Sequence, residues 1–118
     1  MRTIVIRRAL STRAPLHGVR VLELGQLIAG PFCARVLADF GATVLKVEPP
    51  NTGDPLRKWR VLDPSGESFW WRAQSRGKRS LVCDLRSEGG RAHVRALASK
   101  ADVLIENFKP GMLEAWGL

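Results

Sequence analysis

Few side chains in this chain have the spacing of a reaction centre. The two histidines, His17 and His93, stand alone, and no Ser-His-Asp set, carboxylate pair or metal-ligand spacing occurs. Cys33 and Cys83 lie far apart without a partner motif, so we expect reduced thiols in the core and no disulfide. The residues therefore predict ligand binding without a reaction centre and without a bound metal.

One binding candidate is the turn "ELGQLIAGP", residues 23–31. The N-terminus of a helix presents free N–H groups and the positive end of the helix dipole, so it binds phosphates or carboxylates. A dinucleotide site requires Gly-x-Gly-x-x-Gly here, but the chain has only Gly25 and Gly30. Glu48, about 20 residues further on, is placed to bond a ribose hydroxyl. A βαβ unit without any ligand is an equally open interpretation.

A second candidate combines basic and aromatic residues. Its segments are "NTGDPLRKWR" and "RGKRS", and its members are Arg57, Lys58, Arg60, Arg76, Lys78 and Arg79 with Trp59, Trp70 and Trp71. Cations beside aromatic rings bind single-stranded nucleic acid by charge and stacking, and they also bind an adenine nucleotide with its phosphates. The alternative is that Trp70 and Trp71 pack in the core while the arginines are solvated.

The third candidate is "ENFKPG", where Asn107 and Phe108 follow a predicted buried strand. Ligands of open α/β sheets bind at the carboxyl ends of the strands, so these two residues are placed to pair with a base and stack on it. The alternative is an asparagine that closes a turn.

Strands and helices alternate along the chain. We expect a buried stripe of Phe32, Val36, Leu37 and Phe40 on the first helix. Val94 and Leu97 should face the sheet from a helix capped by Ser87. The alternation predicts a Rossmann-like α/β fold, an open and mainly parallel sheet with flanking helices. The predicted strands cover residues 18–24, 43–48, 78–85 and 101–107, and the predicted helices lie within 30–41, 67–74, 87–100 and 109–118.

The net charge of +8 is concentrated at the start of the chain. Residues 1–14 contain four arginines and no acidic residue, which indicates a basic, disordered extension before a domain over residues 15–118. An organellar transit peptide is the alternative. No apolar run reaches the roughly 20 residues that cross a bilayer. We therefore expect a cytoplasmic protein without a membrane or nucleic-acid partner.

Four stretches in order carry a resemblance to a known family. The stretches are "PLHGVRVLELGQLIAGPF", "LADFGATVLKVEPPNTGDPLRKW", "RGKRSLVCDLRSEGGR" and "ADVLIENFKPGMLEAWGL". Together they resemble the N-terminal portion of the family III CoA-transferases, over residues 15–118. The resemblance implies that the βαβ unit holds coenzyme A (CoA) instead of a dinucleotide. It also implies an incomplete, N-terminal part of a larger interlocked-dimer fold.

The resemblance implies a set of CoA-contacting residues in the first turn, along the third strand and after the fourth. The chain departs from the family pattern at Pro49, where several members have arginine, and at Ser75, where asparagine is usual. Cys83 stands where leucine is common. The implied contact residues are Leu27, Ile28, Ala29, Lys78, Arg79, Cys83, Arg86, Asn107 and Phe108.

The resemblance further implies an acyl-CoA and a carboxylic acid acceptor as substrates, and a homodimer as the assembly. Members of the family transfer CoA through an aspartyl-CoA thioester, and their nucleophilic aspartate lies beyond the position of Leu118. We therefore expect this chain alone to be inactive and poorly soluble. The alternatives are a fragment of an α-methylacyl-CoA racemase-type enzyme and a basic nucleic-acid-binding module. None of Asp39, Asp54, Asp63, Asp84 and Asp102 matches the nucleophile.

Overall fold

The computed structural model describes residues 13–118. Most of the predicted basic extension, residues 1–12, therefore lies outside the described residues. Within residues 13–118, four strands alternate with four α-helices, and a 3-10 helix at Pro55–Lys58 interrupts the long loop after the second strand. The elements are β1 Arg20–Glu23, α1 Ala29–Asp39, β2 Thr43–Glu48, α2 Phe69–Gln74, β3 Lys78–Val82, α3 Glu88–Ala98, β4 Val103–Ile105 and α4 Met112–Ala115.

The four strands form one parallel sheet in the order β3-β2-β1-β4. Val21 in β1 pairs with Val44 on one side and with Val103 on the other. All four strands therefore end at the same edge of the sheet, and the loops that follow them meet there. The predicted Rossmann-like sheet with flanking helices is confirmed, although β1, β3 and β4 are shorter than expected.

The core lies on both faces of the sheet because successive side chains of a strand point to opposite sides. On one face Val21 and Val44 pack with Ala34 of α1. On the other face Leu22 and Val47 pack with Val94 of α3. Val94 is 1% exposed, and Leu97 packs against the same cluster, as the sequence predicts. Ser87 caps α3 by accepting a hydrogen bond from the Gly90 amide at 3.0 Å.

The buried face of α1 differs from the prediction. Phe32 and Phe40 are 48% and 53% exposed, whereas Gly30, Pro31 and Ala34 are buried. These small residues let the helix backbone lie close to the sheet. The face of α1 that packs against the sheet therefore carries small side chains, and the phenylalanines point outward. The predicted stripe is therefore wrong for both phenylalanines.

The two cysteines lie in different environments. Cys33 of α1 is exposed, so its prediction as a core thiol is wrong. Cys83 is half-buried just after β3, where its thiol donates to the Gly90 carbonyl at 3.4 Å.

Candidate functional site

A cavity of about 360 Å³ opens at the carboxyl ends of the strands. Its volume falls in the range of roughly 300–1,000 Å³ that is typical of small-molecule sites. Segments that follow all four strands contribute to its wall, because the parallel sheet ends there. The lining residues are Leu24, Gln26, Val47, Pro49, Pro50, Asn51, Thr52, Cys83, Asp84, Leu85, Arg86, Phe108 and Trp116.

Cys83, Arg86 and Phe108 line this cavity, and the family resemblance implies all three as contact residues. Phe108 stacks edge-to-face on Trp116, with ring centroids 5.4 Å apart. Arg86 is exposed, and its Nε donates to Asp84 Oδ1 at 3.0 Å. That hydrogen bond lowers the pKa of the Asp84 carboxyl. The cavity therefore combines an aromatic wall with a cation at its rim.

Several lining residues were missed by sequence reasoning. Trp116 follows the last predicted turn, and only its spacing of three and four from Leu113 and Met112 marks it as part of an apolar helix face. Asn51 and Thr52 lie in the proline-rich segment "PPNTGD", which the sequence marks only as a long loop. Long loops in compact domains are often functional, so their length was the available signal.

Asn107 contacts the turn after β1 instead of lining the cavity described above. Its Oδ1 accepts from the Gln26 amide at 2.7 Å, and its Nδ2 donates to the Gln26 carbonyl at 2.9 Å. Gly25 and Gly30 approach each other so closely that a Cβ on Gly25 would lie 2.8 Å from both the Gly30 Cα and Asn107 Oδ1. Asn107 therefore holds the backbone of a turn that only glycines allow. Its predicted contact with CoA stays a prediction.

A buried ionic cluster also contacts the turn after β1. The Lys46 ammonium, 1% exposed, lies 2.9 Å from Glu23 Oε1, 2.8 Å from Asp54 Oδ2 and 2.7 Å from the Gly25 carbonyl oxygen. Asp54 is fully buried, and its Oδ1 accepts from the Leu27 amide at 3.1 Å. Leu27 has a φ of +61°, which is uncommon for a branched side chain. The turn is thus held in a strained form by groups from β2, from the loop after β2 and from the segment after β4.

Leu27, Ile28 and Ala29 lie in this turn and at the first residue of α1, beside the cavity wall formed by Gln26. Asn107 bonds to Gln26, the residue just before them. They are not among the residues that line the 360 Å³ cavity. Their predicted contacts along the adenine and ribose of CoA stay predictions.

Lys78 and Arg79 lie at the start of β3, away from this cavity. The Lys78 ammonium is buried, donates to the Pro31 carbonyl at 2.7 Å and lies 2.8 Å from Glu23 Oε2. Burial lowers the pKa of Lys78, against the raising effect of Glu23. Arg79 is exposed, and both residues line a separate cavity of about 180 Å³. Their predicted contact with CoA phosphates stays a prediction, and for Lys78 it requires release of Glu23.

The Glu48 carboxylate accepts four hydrogen bonds in the folded chain. Arg57 donates to its two oxygens at 2.7 and 2.9 Å, and Ser80 Oγ and the Asp54 amide also donate to it. Burial opposes its ionisation, but these bonds outweigh burial and lower the pKa of Glu48 to about 2. Glu48 is therefore an ionised structural acceptor, which leaves little capacity for the ribose hydroxyl that the sequence suggests.

The lowered pKa of Glu48 predicts a pH dependence of stability. Its ordinary pKa is 4.5 and its folded value is about 2, so its contribution is present above pH 4.5 and lost as the pH falls toward 2. We expect the difference in free energy of unfolding between the wild type and Glu48→Gln to shrink as the pH falls from 4.5 toward 2. Urea unfolding at several pH values measures it. Glu114→Gln, an exposed change in α4, controls for the loss of one carboxylate. A difference for Glu48→Gln that does not change with pH would contradict the prediction.

The basic and aromatic segment does not form an open nucleic-acid surface. Trp71 is 7% exposed, and the Arg57 guanidinium stacks on it at 3.8 Å, whereas Trp70 is 42% exposed. Arg57 pairs with Glu48, and Arg76 pairs with Asp39 at 3.1 Å. The alternative of two core tryptophans therefore holds for Trp71 and is wrong for Trp70, and several of the candidate cations are already neutralised.

The described part of the chain has neither a metal-binding cluster nor a membrane-spanning helix. Among residues 13–118, no group of three or more His, Cys, Asp or Glu side chains is arranged to hold a metal ion. The predicted absence of a metal stays a prediction. Over the same residues, the structure has no helix with the length and apolar character needed to cross a membrane.

The family model of CoA-transferase family III matches residues 16–118. The chain belongs to this family. This family III chain is 53% identical over 104 residues to a succinyl-CoA–D-citramalate CoA-transferase of Chloroflexus aurantiacus, an alignment that covers 88% of the chain and 26% of that protein. It is 46% identical to a succinate–glutarate CoA-transferase of Agrobacterium fabrum, over 90% of the chain and 28% of that protein.

A crystal structure of a CAIB/BAIF family protein from Brucella suis superposes on this family III chain with a TM-score of 0.82 and 45% identity. The match covers 90% of the chain and 29% of that structure. The chain thus spans about a quarter of the length of the curated relatives it matches. The predicted resemblance to the N-terminal portion of the family is confirmed, and the nucleic-acid and racemase alternatives are not favoured.

Proposed function

We propose that this chain is the CoA-binding portion of a transferase that moves CoA between dicarboxylic acids. Its relatives are named for succinyl-CoA with D-citramalate and for succinate with glutarate, and all of these are dicarboxylates. The observation that carries the proposal is the cavity at the carboxyl ends of the strands, lined by Cys83, Arg86 and Phe108. In open α/β sheets ligands bind at that edge.

The chemistry of the cavity suits one end of CoA. Phe108 and Trp116 supply aromatic surface for an adenine, and the exposed Arg86 supplies a cation for phosphate oxygens. Gln26 and Thr52 add polar groups that can orient a nucleotide. A cavity of about 360 Å³ accommodates only part of CoA, so the remainder of the substrate must extend out of it.

The proposed reaction uses an aspartate outside residues 1–118. Its carboxylate attacks the acyl-CoA thioester and expels the CoA thiolate, which gives an acyl-aspartyl anhydride. The thiolate then attacks the aspartyl carbonyl of this anhydride, so that the donor acid leaves as a carboxylate and CoA remains as a thioester on the aspartate. The described aspartates support this placement because each is already engaged. Asp54 is paired with Lys46, and the others with arginines: Asp39 with Arg35 and Arg76, Asp63 with Arg72, Asp84 with Arg86 and Asp102 with Arg20. Homodimer assembly and a cytoplasmic location stay predictions.

Cys83→Trp is expected to weaken CoA binding by about tenfold or more, because the larger side chain enters the cavity that Cys83 lines. Isothermal titration of the 118-residue chain with CoA, and with NAD for comparison, measures this effect. The matched control is Cys33→Trp, which places the same side chain on the exposed face of α1. It should bind CoA as the wild type does.

A milder variant keeps the test informative if Cys83→Trp does not fold. Arg86 is exposed, so Arg86→Gln should leave the fold unchanged and weaken CoA binding by about tenfold. Equal CoA affinity for the wild type and Arg86→Gln would contradict the assignment of this cavity. Binding of NAD in preference to CoA would contradict the proposed function itself.

A further inference from the structure

Arg60 is held in an unusual backbone conformation. Its φ is +58°, in the left-handed region that long side chains rarely adopt. Ser68, fully buried, fixes the backbone before it: the Ser68 amide donates to the Arg57 carbonyl at 3.0 Å and Ser68 Oγ to the Trp59 carbonyl at 2.7 Å. Beyond it, the Phe69 amide donates to the Val61 carbonyl at 3.3 Å. Strain maintained by its surroundings often marks a functional position.

The Arg60 guanidinium has no carboxylate partner among the described residues. It lies 4.4 Å from the centroid of the Trp59 ring, and Trp59 in turn meets Trp70 edge-to-face at 5.5 Å. Two other arginines of this region do have carboxylate partners: Arg57 pairs with Glu48, and Arg72 pairs with Glu67. Arg60 is exposed. A cation is therefore oriented by an aromatic ring and keeps its hydrogen-bonding groups available.

The loop that carries Arg60 begins at the proposed CoA cavity. A second cavity of about 230 Å³ shares Pro49, Asn51 and Thr52 with the first and extends to Arg57. The 3-10 helix Pro55–Lys58 follows, and Trp59 and Arg60 come directly after it. Arg60 therefore lies three residues beyond Arg57, which lines the second cavity.

We propose that Arg60 binds the free carboxylate of a dicarboxylic acyl group, an inference that rests on the proposed function. When one carboxylate of such an acid forms the thioester, the other remains charged and requires a cation. A guanidinium provides two parallel N–H donors that match a carboxylate, and its stacking on Trp59 fixes their direction. Arg60 is thus a specificity-determining residue that distinguishes dicarboxylic from monocarboxylic acyl groups.

The test compares succinyl-CoA with butyryl-CoA, which have acyl chains of equal carbon number and differ in the terminal carboxylate. Titration of the 118-residue chain should show succinyl-CoA bound about tenfold more tightly than butyryl-CoA. Arg60→Gln should abolish this ratio and leave the affinity for free CoA unchanged. Succinyl-CoA should also change the fluorescence of the wild type more than butyryl-CoA does, because Arg60 stacks on Trp59.

Lys100→Gln is the matched control, because it removes one exposed positive charge from the end of α3. It should keep the wild-type ratio, which separates a specific contact from the net charge of the chain. A wild type that binds CoA without preferring succinyl-CoA, or an Arg60→Gln variant that keeps the preference, overturns the role of Arg60 alone. A wild type that binds none of the three compounds overturns the proposed function and this inference with it.

Discussion

Lys46→Met is expected to lower the free energy of unfolding by about 3–5 kcal/mol. Methionine has nearly the length of lysine but no charge, so the substitution leaves Glu23 and Asp54 without the ammonium between them. Both carboxylates are fully buried. Glu23 keeps its contact with Lys78, but Asp54 loses the ammonium that neutralises it, and an unpaired buried charge is strongly destabilising. Urea unfolding followed by tryptophan fluorescence measures the loss. It is a large fraction of the roughly 5–15 kcal/mol by which a typical domain is stable.

Lys58→Met provides the matched control for this prediction. The Lys58 ammonium donates to the Gly66 carbonyl at 2.7 Å, in an exposed contact, and has no carboxylate partner among residues 13–118. Its loss should change the free energy of unfolding by about 0.5 kcal/mol or less. Similar losses in the two variants would show that the Lys46 cluster does not stabilise the fold.

Because Lys46 also binds the Gly25 carbonyl, Lys46→Met should additionally weaken CoA binding at 25 °C in whatever fraction remains folded.

Gly90→Ala is the second substitution with a large expected effect. A Cβ on Gly90 would lie 1.9 Å from the Asp84 carbonyl oxygen and 2.7 Å from its carbon, distances at which the backbone must move. We expect a loss of about 1–3 kcal/mol or more in the free energy of unfolding. Asp84 and Leu85 line the proposed CoA cavity, so the shift should also weaken CoA binding. Chemical unfolding and CoA titration of one preparation measure both effects.

Gly89→Ala tests the same substitution one residue earlier in α3. No atom lies within 4 Å of a Cβ placed on Gly89, so alanine meets open space there. Because alanine favours helix more than glycine does, we expect this variant to be more stable than the wild type by up to about 1 kcal/mol. The two variants should therefore change stability in opposite directions. Destabilisation of equal size at both positions would refute the close contact between α3 and Asp84.

The sequence by itself determined the order of elements, the class of fold and the family. Local patterns were sufficient for these, because an apolar run after a turn marks a strand and Gly30-Pro31 marks the start of a helix. Cys83, Arg86 and Phe108 follow β3 and β4, and the carboxyl ends of parallel strands meet at one edge. Their shared cavity therefore followed from strand order and the family resemblance together.

Only the tertiary structure decided which faces pack and which charges are buried. On α1 the small Gly30 and Ala34 meet the sheet although Phe32 is more apolar, because the distance between helix and sheet selects the residue size that fits. Lys46 lies in an apolar strand, and its partner Asp54 belongs to a loop whose composition predicts that it is solvated. Their burial depends on a charge balance assembled from three separate segments, and no local pattern contains that information.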